Sequence, residues 1–194
     1  MSLPHALLGL INYYPATGYD LKNRFHESIH FFWNATLPQI YRTLNQMEAQ
    51  GWVESAVEHQ NGKPSKKVYR ITGAGRGEFL RWLAEAYEEP ERRMATLVKV
   101  FFGNQLSREE FLAQVQAWRS LHLKLLEQYE REIPPAIDRY SSMTGLSREA
   151  PFWRMTFDFG MRHVRMTIEW CDAVIEGLTK DQGPTSSPSG RPSE

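Results

Sequence analysis

Cysteine is almost absent from this chain of 194 residues, in which Cys171 is the only example. A single thiol excludes an internal disulfide and is typical of proteins from a reducing compartment. The N-terminus lacks the basic start, long apolar run and small-residue cleavage site of a secretory signal. No apolar run is long enough to cross a bilayer. These absences predict a soluble, cytoplasmic protein without a membrane segment.

Motifs of catalysis and of metal binding are also absent. The side chains that could carry out chemistry lack zinc-site spacing, and no Ser or Cys lies in a recognisable nucleophile turn. These side chains are His122, His163, Cys171 and Asp172. His122 and Cys171 lie on the apolar seams of amphipathic helices, a position typical of packing. We therefore predict no enzymatic activity, no cofactor and no metal site.

Net charge is missing as well, because 23 basic residues balance 23 acidic ones. A polyanionic partner must then be met by a local basic patch. Residues 60–76 form such a patch, since they include no acidic residue and contain Lys63, Lys66, Lys67, Arg70 and Arg76. The turn dipeptide Asn61-Gly62 and the strand-forming residues on either side predict a β-hairpin with its tip at residues 60–67. A cationic tip can follow a phosphate backbone and gain affinity from counterion release.

The most informative segment that is present is TLPQIYRTLNQMEAQGWV, residues 36–53. Thr36 and Gln39 have the spacing of a capping box, and Pro38 is tolerated in a first helical turn. Apolar residues then recur at steps of three and four until Gly51, which predicts an amphipathic helix that ends there. The opposite face carries amides and hydroxyls instead of the usual Lys and Glu. Such a face suits the edges of base pairs.

Two helices are predicted before this segment, over residues 4–12 and from the Thr17–Asp20 capping spacing onward. A further helix is predicted after the hairpin, capped by Thr72. Three helices followed by a hairpin is the order of a winged helix-turn-helix. In that arrangement the third helix enters the major groove and the basic wing follows a neighbouring phosphate strand.

The first 86 residues resemble the PadR family of bacterial transcriptional regulators. The segments that carry the resemblance are ALLGL (6–10), TGYDL (17–21), FW (32–33), QIYRTL (39–44), ME (47–48), GWV (51–53), GKP (62–64), Lys67, Tyr69, IT (71–72) and Gly75. The resemblance implies a homodimeric DNA-binding repressor or activator that binds an inverted-repeat operator. Of these two, we predict a repressor. The resemblance implies DNA contacts by Thr36, Gln39, Tyr41, Arg42 and Thr43 in the helix, and by Lys63, Lys66 and Lys67 in the wing.

The second half of the sequence predicts long amphipathic helices. One helix lies within residues 93–106 and stops at Gly103, a second begins at the Ser107–Glu110 capping box and ends at Pro134, and a third spans about residues 152–178. Their apolar seams follow coiled-coil steps of three and four, and two such seams predict pairing with a second chain. This half resembles the C-terminal helical dimerisation domain of one PadR subgroup.

The sequence thus predicts a mostly α-helical fold with a small β-hairpin. A winged helix-turn-helix domain covers residues 1–86, an α-helical dimerisation domain covers residues 87–180, and a disordered tail rich in Pro, Gly and Ser covers residues 181–194. The resemblance also implies an aromatic or lipophilic effector bound between the two domains. The candidate residues for binding this effector are Trp33, Trp118, Trp153 and Trp170. Ordinary core and interface packing is the other interpretation of these rings.

An enzyme is one alternative to a DNA-binding regulator. The second alternative is a winged helix with a different function. A winged-helix module can serve protein contacts without sequence-specific DNA binding. The zero net charge allows this function, because long-range electrostatic steering towards DNA is absent.

Overall fold

In the computed structural model of this chain, residues 3–28, 32–60, 63–86 and 94–180 are described, and the chain divides into two units, Met1–Glu91 and Arg92–Glu194. The described elements of the first unit are α1 (Leu3–Tyr13), β1 (Ala16–Thr17), α2 (Gly18–Ser28), α3 (Leu37–Ala49), β2 (Val53–Gln60), β3 (Lys63–Ile71) and α4 (Gly73–Ala84). Those of the second are α5 (Ala95–Phe101), a 3₁₀ turn (Gly103–Gln105), α6 (Arg108–Thr144) and α7 (Ala150–Lys180). The predicted fold class is confirmed. The predicted turn dipeptide Asn61-Gly62, residues 87–93 and the predicted tail at 181–194 lie outside the described residues.

The helix starts follow the capping patterns of the sequence. At α2, Asp20 Oδ2 accepts hydrogen bonds from the backbone N–H and the hydroxyl of Thr17, and Thr17 Oγ1 accepts one from the Asp20 N–H. At α4, Thr72 Oγ1 accepts the N–H of Gly75 at 3.0 Å. Each cap of this kind stabilises a helix by about 1 kcal/mol, because it satisfies donors that the helix itself leaves unpaired.

The strands form an antiparallel sheet in the order β1-β3-β2. The wing, which is the hairpin of β2 and β3, is paired from Val53 opposite Ile71 to Gln60 opposite Lys63. The predicted tip at residues 60–67 is therefore too long, since cross-strand pairing continues almost to the Asn61-Gly62 dipeptide. Lys66 and Lys67 consequently lie within a strand, and their side chains point to opposite faces of it.

The core of the first unit lies among α1, α2, α3 and the sheet. Its fully buried side chains come from every one of these elements, and they include Leu7, Leu8, Ile11, Leu21, Phe25, Ile40, Leu44, Met47, Val53 and Tyr69. Burying each large apolar side chain contributes roughly 1.5–3 kcal/mol. This packing fixes which face of α3 remains outside.

The second unit is built on the packing of α6 against α7. Buried residues lie along its length. Val115 of α6 and Met161, Val164, Ile168 and Cys171 of α7 belong to the predicted seams, and Ile137 of α6 lies beyond the predicted end of that helix. Ion pairs cross between the helices from Arg119 to Asp172, from Glu130 to Arg165 and from Asp138 to Arg154. Partners rise along one helix as they fall along the other, so the two helices are antiparallel.

The predicted end of α6 at Pro134 is wrong. The helix continues through Pro134 and Pro135 to Thr144, and it ends at Gly145, whose φ is 71°. A proline inside a helix removes a hydrogen bond at a cost of about 3 kcal/mol. Packing against α7 offsets that cost, because Ile137 is buried and Tyr140 packs on Trp153 with ring centroids 5.6 Å apart.

No helix in the described part of the chain combines the length and the apolar character that a membrane span requires.

Candidate nucleic-acid interface

The outward face of α3 is polar, as its sequence predicts. Its exposed side chains are Gln39, Tyr41, Arg42, Asn45 and Gln46. Gln39 Oε1 accepts hydrogen bonds from the backbone N–H of Thr36 at 2.8 Å and from the Thr36 hydroxyl at 2.9 Å. The carbonyl oxygen of Gln39 is thus used in starting the helix, and its NH₂ group is left to donate outwards. Thr36 acts by orienting Gln39.

Thr43 requires a correction. The sequence assigned it to the DNA-binding face, but its side chain is only 7% exposed. Its position explains the error, because residues 40, 43, 44 and 47 follow the i, i+3, i+4, i+7 spacing of one helical stripe. Thr43 therefore packs in the buried stripe with Ile40, Leu44 and Met47, and it is not available to a base edge.

Lys66 and Lys67 of the wing are held by carboxylates from two different elements. Lys66 Nζ lies 3.6 Å from a carboxylate oxygen of Glu58, its cross-strand neighbour in β2. Lys67 Nζ donates to Glu48 of α3 at 2.8 Å. Lys63 begins β3. Lys66 is therefore paired within the wing, whereas Lys67, its neighbour in the sequence, links the wing to α3.

A groove of about 530 Å³ lies between the start of α2, the outer face of α3 and β3. Its lining residues are Thr17, Tyr19, Asp20, Tyr41, Asn45, Ser65, Lys66, Lys67 and Tyr69. Gly18 determines one wall, because a Cβ at this position would lie 2.5 Å from the ring of Tyr41. The absence of a side chain there lets the ring of Tyr41 pack directly on α2.

Two groove residues were missed as site residues by sequence reasoning. Tyr19 is 59% exposed in the first turn of α2, and Asn45 is exposed one turn after Tyr41. Asn45 lies on the polar face of α3, so the helical period could have identified it. Tyr19 lies two residues after the capping Thr17 and carries no charge, so only the folded arrangement brings it to the groove.

The groove contains charges of both signs. Burial acts to raise the pKa of Asp20, but hydrogen bonds from Thr17 and the nearby charges of Arg24 and Lys66 outweigh it and hold that pKa below its usual value. Asp20 is thus an ionised helix cap at the edge of the groove. The Lys66 ammonium group and the exposed hydroxyls of Tyr19 and Tyr41 are donors that face an anionic ligand in this groove, and the Asp20 carboxylate opposes its close approach at one end.

The three candidate effector tryptophans of the second unit do not form one cluster. Trp118 and Trp170 form a T-shaped pair with centroids 5.2 Å apart, and His122 lies beside Trp118. Trp153 instead packs on Tyr140, and its position 17 residues before Trp170 in the same helix separates the two by about 25 Å. Trp33 packs against the core of the first unit. A single pocket lined by all four rings is therefore excluded within one unit.

The side chains considered for catalysis do not form a site either. Cys171 is fully buried, and burial raises the pKa of its thiol. Asp172 is paired with Arg119, and His122 Nδ1 lies 3.0 Å from the Trp118 carbonyl oxygen. Over the described ranges, no group of three or more His, Cys, Asp or Glu side chains could hold a metal ion.

Comparison with known proteins adds two matching family models. The transcriptional regulator PadR-like family matches residues 7–81, and the virulence activator alpha C-terminal family matches residues 92–179. A probable transcriptional regulator of Mycobacterium tuberculosis, Rv1176c, is 34% identical over 190 residues, which cover 92% of this chain and 98% of the relative.

Two regulators of solved structure are similar over nearly their whole length. Bacillus subtilis PadR in complex with operator DNA has a TM-score of 0.79 at 22% identity, and in complex with p-coumaric acid a TM-score of 0.74 at 21% identity. The Vibrio cholerae virulence activator AphA has a TM-score of 0.73 at 31% identity. Each alignment covers 92% of this chain and 99% of the other.

Proposed function

This chain belongs to the PadR-like family of transcriptional regulators, and we propose that it represses transcription by binding an inverted-repeat operator in double-stranded DNA as a homodimer. The family and the predicted class of DNA-binding transcriptional regulator are confirmed. The observation that supports operator binding is the exposed polar face of α3. It lies beside the groove formed by α2, α3 and the wing. Members of the family are regulators, not enzymes, and we place the protein in the cytoplasm with its operator.

Each side chain of the interface has a distinct role in the proposal. Arg42 reads a base edge, since a guanidinium can donate two hydrogen bonds to guanine in the major groove. The NH₂ group of Gln39 and the side chain of Asn45 supply further base contacts, and Tyr41 fixes α3 against α2. Lys66, with Lys63 beyond it in β3, contacts phosphate and contributes affinity that is independent of sequence.

An apolar stripe on α7 supports the homodimer. Phe152, Met155, Phe159 and Met166 are 66%, 65%, 74% and 52% exposed. They lie on the side of α7 opposite the seam that packs on α6, because steps of three, four and seven return to one helical face. Aromatic and methionine side chains left in water on one face are typical of a protein interface. A two-fold dimer presents two recognition helices, which matches the symmetry of an inverted repeat.

An aromatic or lipophilic small molecule is the effector in this proposal. The half-buried Trp118–Trp170 pair, with His122 beside it, offers ring faces and a polar group in the second unit. Titration of such a compound should quench tryptophan fluorescence in the wild type and not in Trp118→Leu, and the same compound should release the operator. Binding without a change in operator affinity contradicts regulation, because allostery requires coupled affinities.

Selection of bound duplexes from a random pool tests operator binding. The expected outcome is enrichment of two half-sites in inverted orientation. Arg42→Ala should then weaken binding of the selected duplex by about 1–3 kcal/mol and relax the base preference at one position of each half-site. Thr43→Val is the matched control, since the neighbouring buried side chain should leave both affinity and preference unchanged.

Two results would count against the proposal. A pool without enriched sequences would favour a protein-interaction module, and a selected duplex without inverted symmetry would contradict the dimeric arrangement. Repression itself is tested with the selected half-sites placed downstream of a promoter, where expression of the chain should lower the output of a reporter gene.

A further inference from the structure

One carboxylate ties both strands of the wing to the recognition helix. Glu48 lies in the last turns of α3, and its Oε2 accepts a hydrogen bond from Lys67 Nζ at 2.8 Å. Its Oε1 accepts a hydrogen bond from the hydroxyl of Ser55. Ser55 belongs to β2 and Lys67 to β3, and the two strands pair directly. The bond from the Lys67 ammonium, with the Ser55 hydroxyl adding to it, holds the pKa of Glu48 below its usual value.

The ammonium group of Lys67 is held from a second side as well. Its Nζ lies 5.1 Å from the centroid of the Tyr69 ring, and Tyr69 is 2% exposed. An ammonium over an aromatic face is attracted by the negative charge of the π system. Lys67 thus lies between the carboxylate of Glu48 and the ring of Tyr69, whereas Lys66 pairs with Glu58 inside the hairpin.

The Ser55 contact lies two residues from the base of the wing, and the Lys67 contact lies halfway along its length. The base of the wing pairs Val53 with Ile71, and the described end near the tip pairs Gln60 with Lys63. Lys67 is four residues from Ile71 and four from Lys63, or roughly 13 Å from each along the strand. A contact at the midpoint restricts rotation of the hairpin about its base, and that rotation would move the tip relative to α3.

We propose that Glu48 and Lys67 are positioning residues that set the direction of the wing relative to the recognition helix, and that Lys67 does so instead of contacting a phosphate. This inference rests on the proposed DNA binding, because it concerns the geometry with which helix and wing meet one duplex. It revises the sequence-based assignment of Lys67 to the phosphate-contacting residues and leaves that of Lys66 in place.

Glu48→Gln separates the two roles by the sign of its effect. If Lys67 contacts phosphate, the substitution frees an ammonium group and removes an anion near DNA, so affinity for a duplex selected by the wild type rises. If the pair positions the wing, affinity falls, by about three-fold for a partly exposed ion pair. Lys67→Met should cause the same loss without changing the dependence of affinity on salt, whereas Lys66→Met should reduce the salt slope by about one.

The charge-reversed pair provides the rescue. The double variant Glu48→Lys with Lys67→Glu can form the same bridge, so its affinity should return to within about two-fold of the wild type, while Lys67→Glu alone binds more weakly. Glu58→Gln is the matched control, because it releases Lys66 without loosening the wing from α3 and should not lower affinity. Failure of the reversed pair to exceed Lys67→Glu would overturn the proposal.

A measurement without DNA distinguishes this failure from failure of the proposed function. Spin labels at Gln46 of α3 and His59 of β2, in a Cys171→Ala background, report the distance between helix and wing. The distance distribution should broaden in Glu48→Gln and Lys67→Met, and it should stay narrow in Glu58→Gln and in the reversed pair. Unchanged widths in all variants refute positioning whether or not DNA binds. Broadening in a chain that selects no duplex refutes the DNA-binding proposal and leaves the attachment of the wing established.

Discussion

His5 of α1 and Glu78 of α4, 73 positions apart in the sequence, are joined by a hydrogen bond of 3.0 Å between Nε2 and Oε1. The imidazole also stacks on Trp82 of α4, with centroids 4.5 Å apart and planes 8° from parallel. Arg81 donates to both oxygens of the same carboxylate, at 2.9 and 2.7 Å. This cluster joins α1 to α4, the first and last described helices of the DNA-binding unit. Ionisation of Glu78 therefore affects the stability of that unit.

Stability of the first unit should therefore depend on Glu78 in acid. Hydrogen bonds from Arg81 and His5 lower the pKa of Glu78 from 4.5 to about 2. Because this value is below that of the unfolded chain, the ionised carboxylate stabilises the fold above about pH 4.5, and its contribution is lost as the pH falls towards 2. Glu78→Gln should lower the denaturant midpoint at neutral pH, and the difference from the wild type should shrink as the pH falls through about 2 and vanish below it.

Glu27→Gln on the exposed surface of α2 is the control for that series. It removes one exposed carboxyl, and its midpoint at neutral pH should stay close to that of the wild type. A difference between wild type and Glu78→Gln that stayed constant down to about pH 2 would contradict the assigned pKa, since a group that titrates in this range must change its contribution there.

Gly75 is required by the packing of α4 on the backbone of Trp52, the residue that precedes the wing. A Cβ at this position would lie 2.0 Å from the carbonyl oxygen of Trp52 and 2.7 Å from its carbonyl carbon. That oxygen already accepts hydrogen bonds from the N–H and the hydroxyl of Thr72, so it cannot move freely. Gly75→Ala should destabilise the unit by about 3 kcal/mol or more, measured by chemical denaturation.

Gly77 is the matched control for Gly75, two residues further along the same helix. A Cβ there meets no atom within 4 Å. Gly77→Ala should therefore stabilise α4 by about 0.5–1 kcal/mol, because alanine loses less backbone freedom on folding than glycine does. Equal losses at the two positions would show that helix propensity, and not the contact with Trp52, determines the result.

Local signals in the sequence were sufficient for the helix starts. The pairs Thr17–Asp20, Thr36–Gln39 and Ser107–Glu110 each lie three residues apart, and each forms hydrogen bonds across that short distance. Gly51 ends α3 with a φ of 71°, which its sequence position also predicts. Such features depend on a few neighbouring residues, so they can be predicted without knowing the fold.

Features that depend on distant residues were not predictable in the same way. The two-residue strand β1 exists because Ala16 and Thr17 pair with Tyr69 and Val68, and no local pattern indicates it. The hydrogen bond from Lys67 to Glu48 can be predicted only when the register of the hairpin is known. The sequence predicted a tip that is too long, so it did not give this register. Thr43 shows the remaining kind of error, since a polar residue was assigned outwards although its helical position is buried.

Pro134 and Pro135 allow a prediction about the stability that α6 loses by containing prolines. Replacing either proline by alanine restores a backbone donor inside α6, so each substitution should raise the stability of the second unit by about 1–3 kcal/mol. Thermal unfolding followed by circular dichroism measures the gain. Pro151→Ala is the control, because Pro151 lies in the first turn of α7, where its missing N–H costs no helical bond.

A loss of stability in both alanine variants would contradict that expectation. It would mean that the local geometry imposed by the prolines is what seats Ile137 and Tyr140 against α7, since alanine removes the ring without removing any neighbouring side chain.

Phe159 tests the homodimer through the exposed stripe of α7. The side chain is 74% exposed, with Met155 and Met166 on the same face of the helix. Phe159→Glu places a charge in the middle of this apolar stripe, and a buried, unpaired carboxylate is costly. The dissociation constant of the dimer should rise by at least about 30-fold, which corresponds to about 2 kcal/mol at an interface anchor. Light scattering across a concentration series measures the shift from dimer to monomer.

Phe159→Leu is the matched variant, since it keeps an apolar side chain at the same site and should remain dimeric. Far-UV circular dichroism of Phe159→Glu should still show a folded helical protein, because the side chain lies outside the seam with α6. Operator affinity should fall together with dimerisation, as two recognition helices on one assembly bind two half-sites cooperatively. A dimeric Phe159→Glu would place the contact between subunits on another face of the helices.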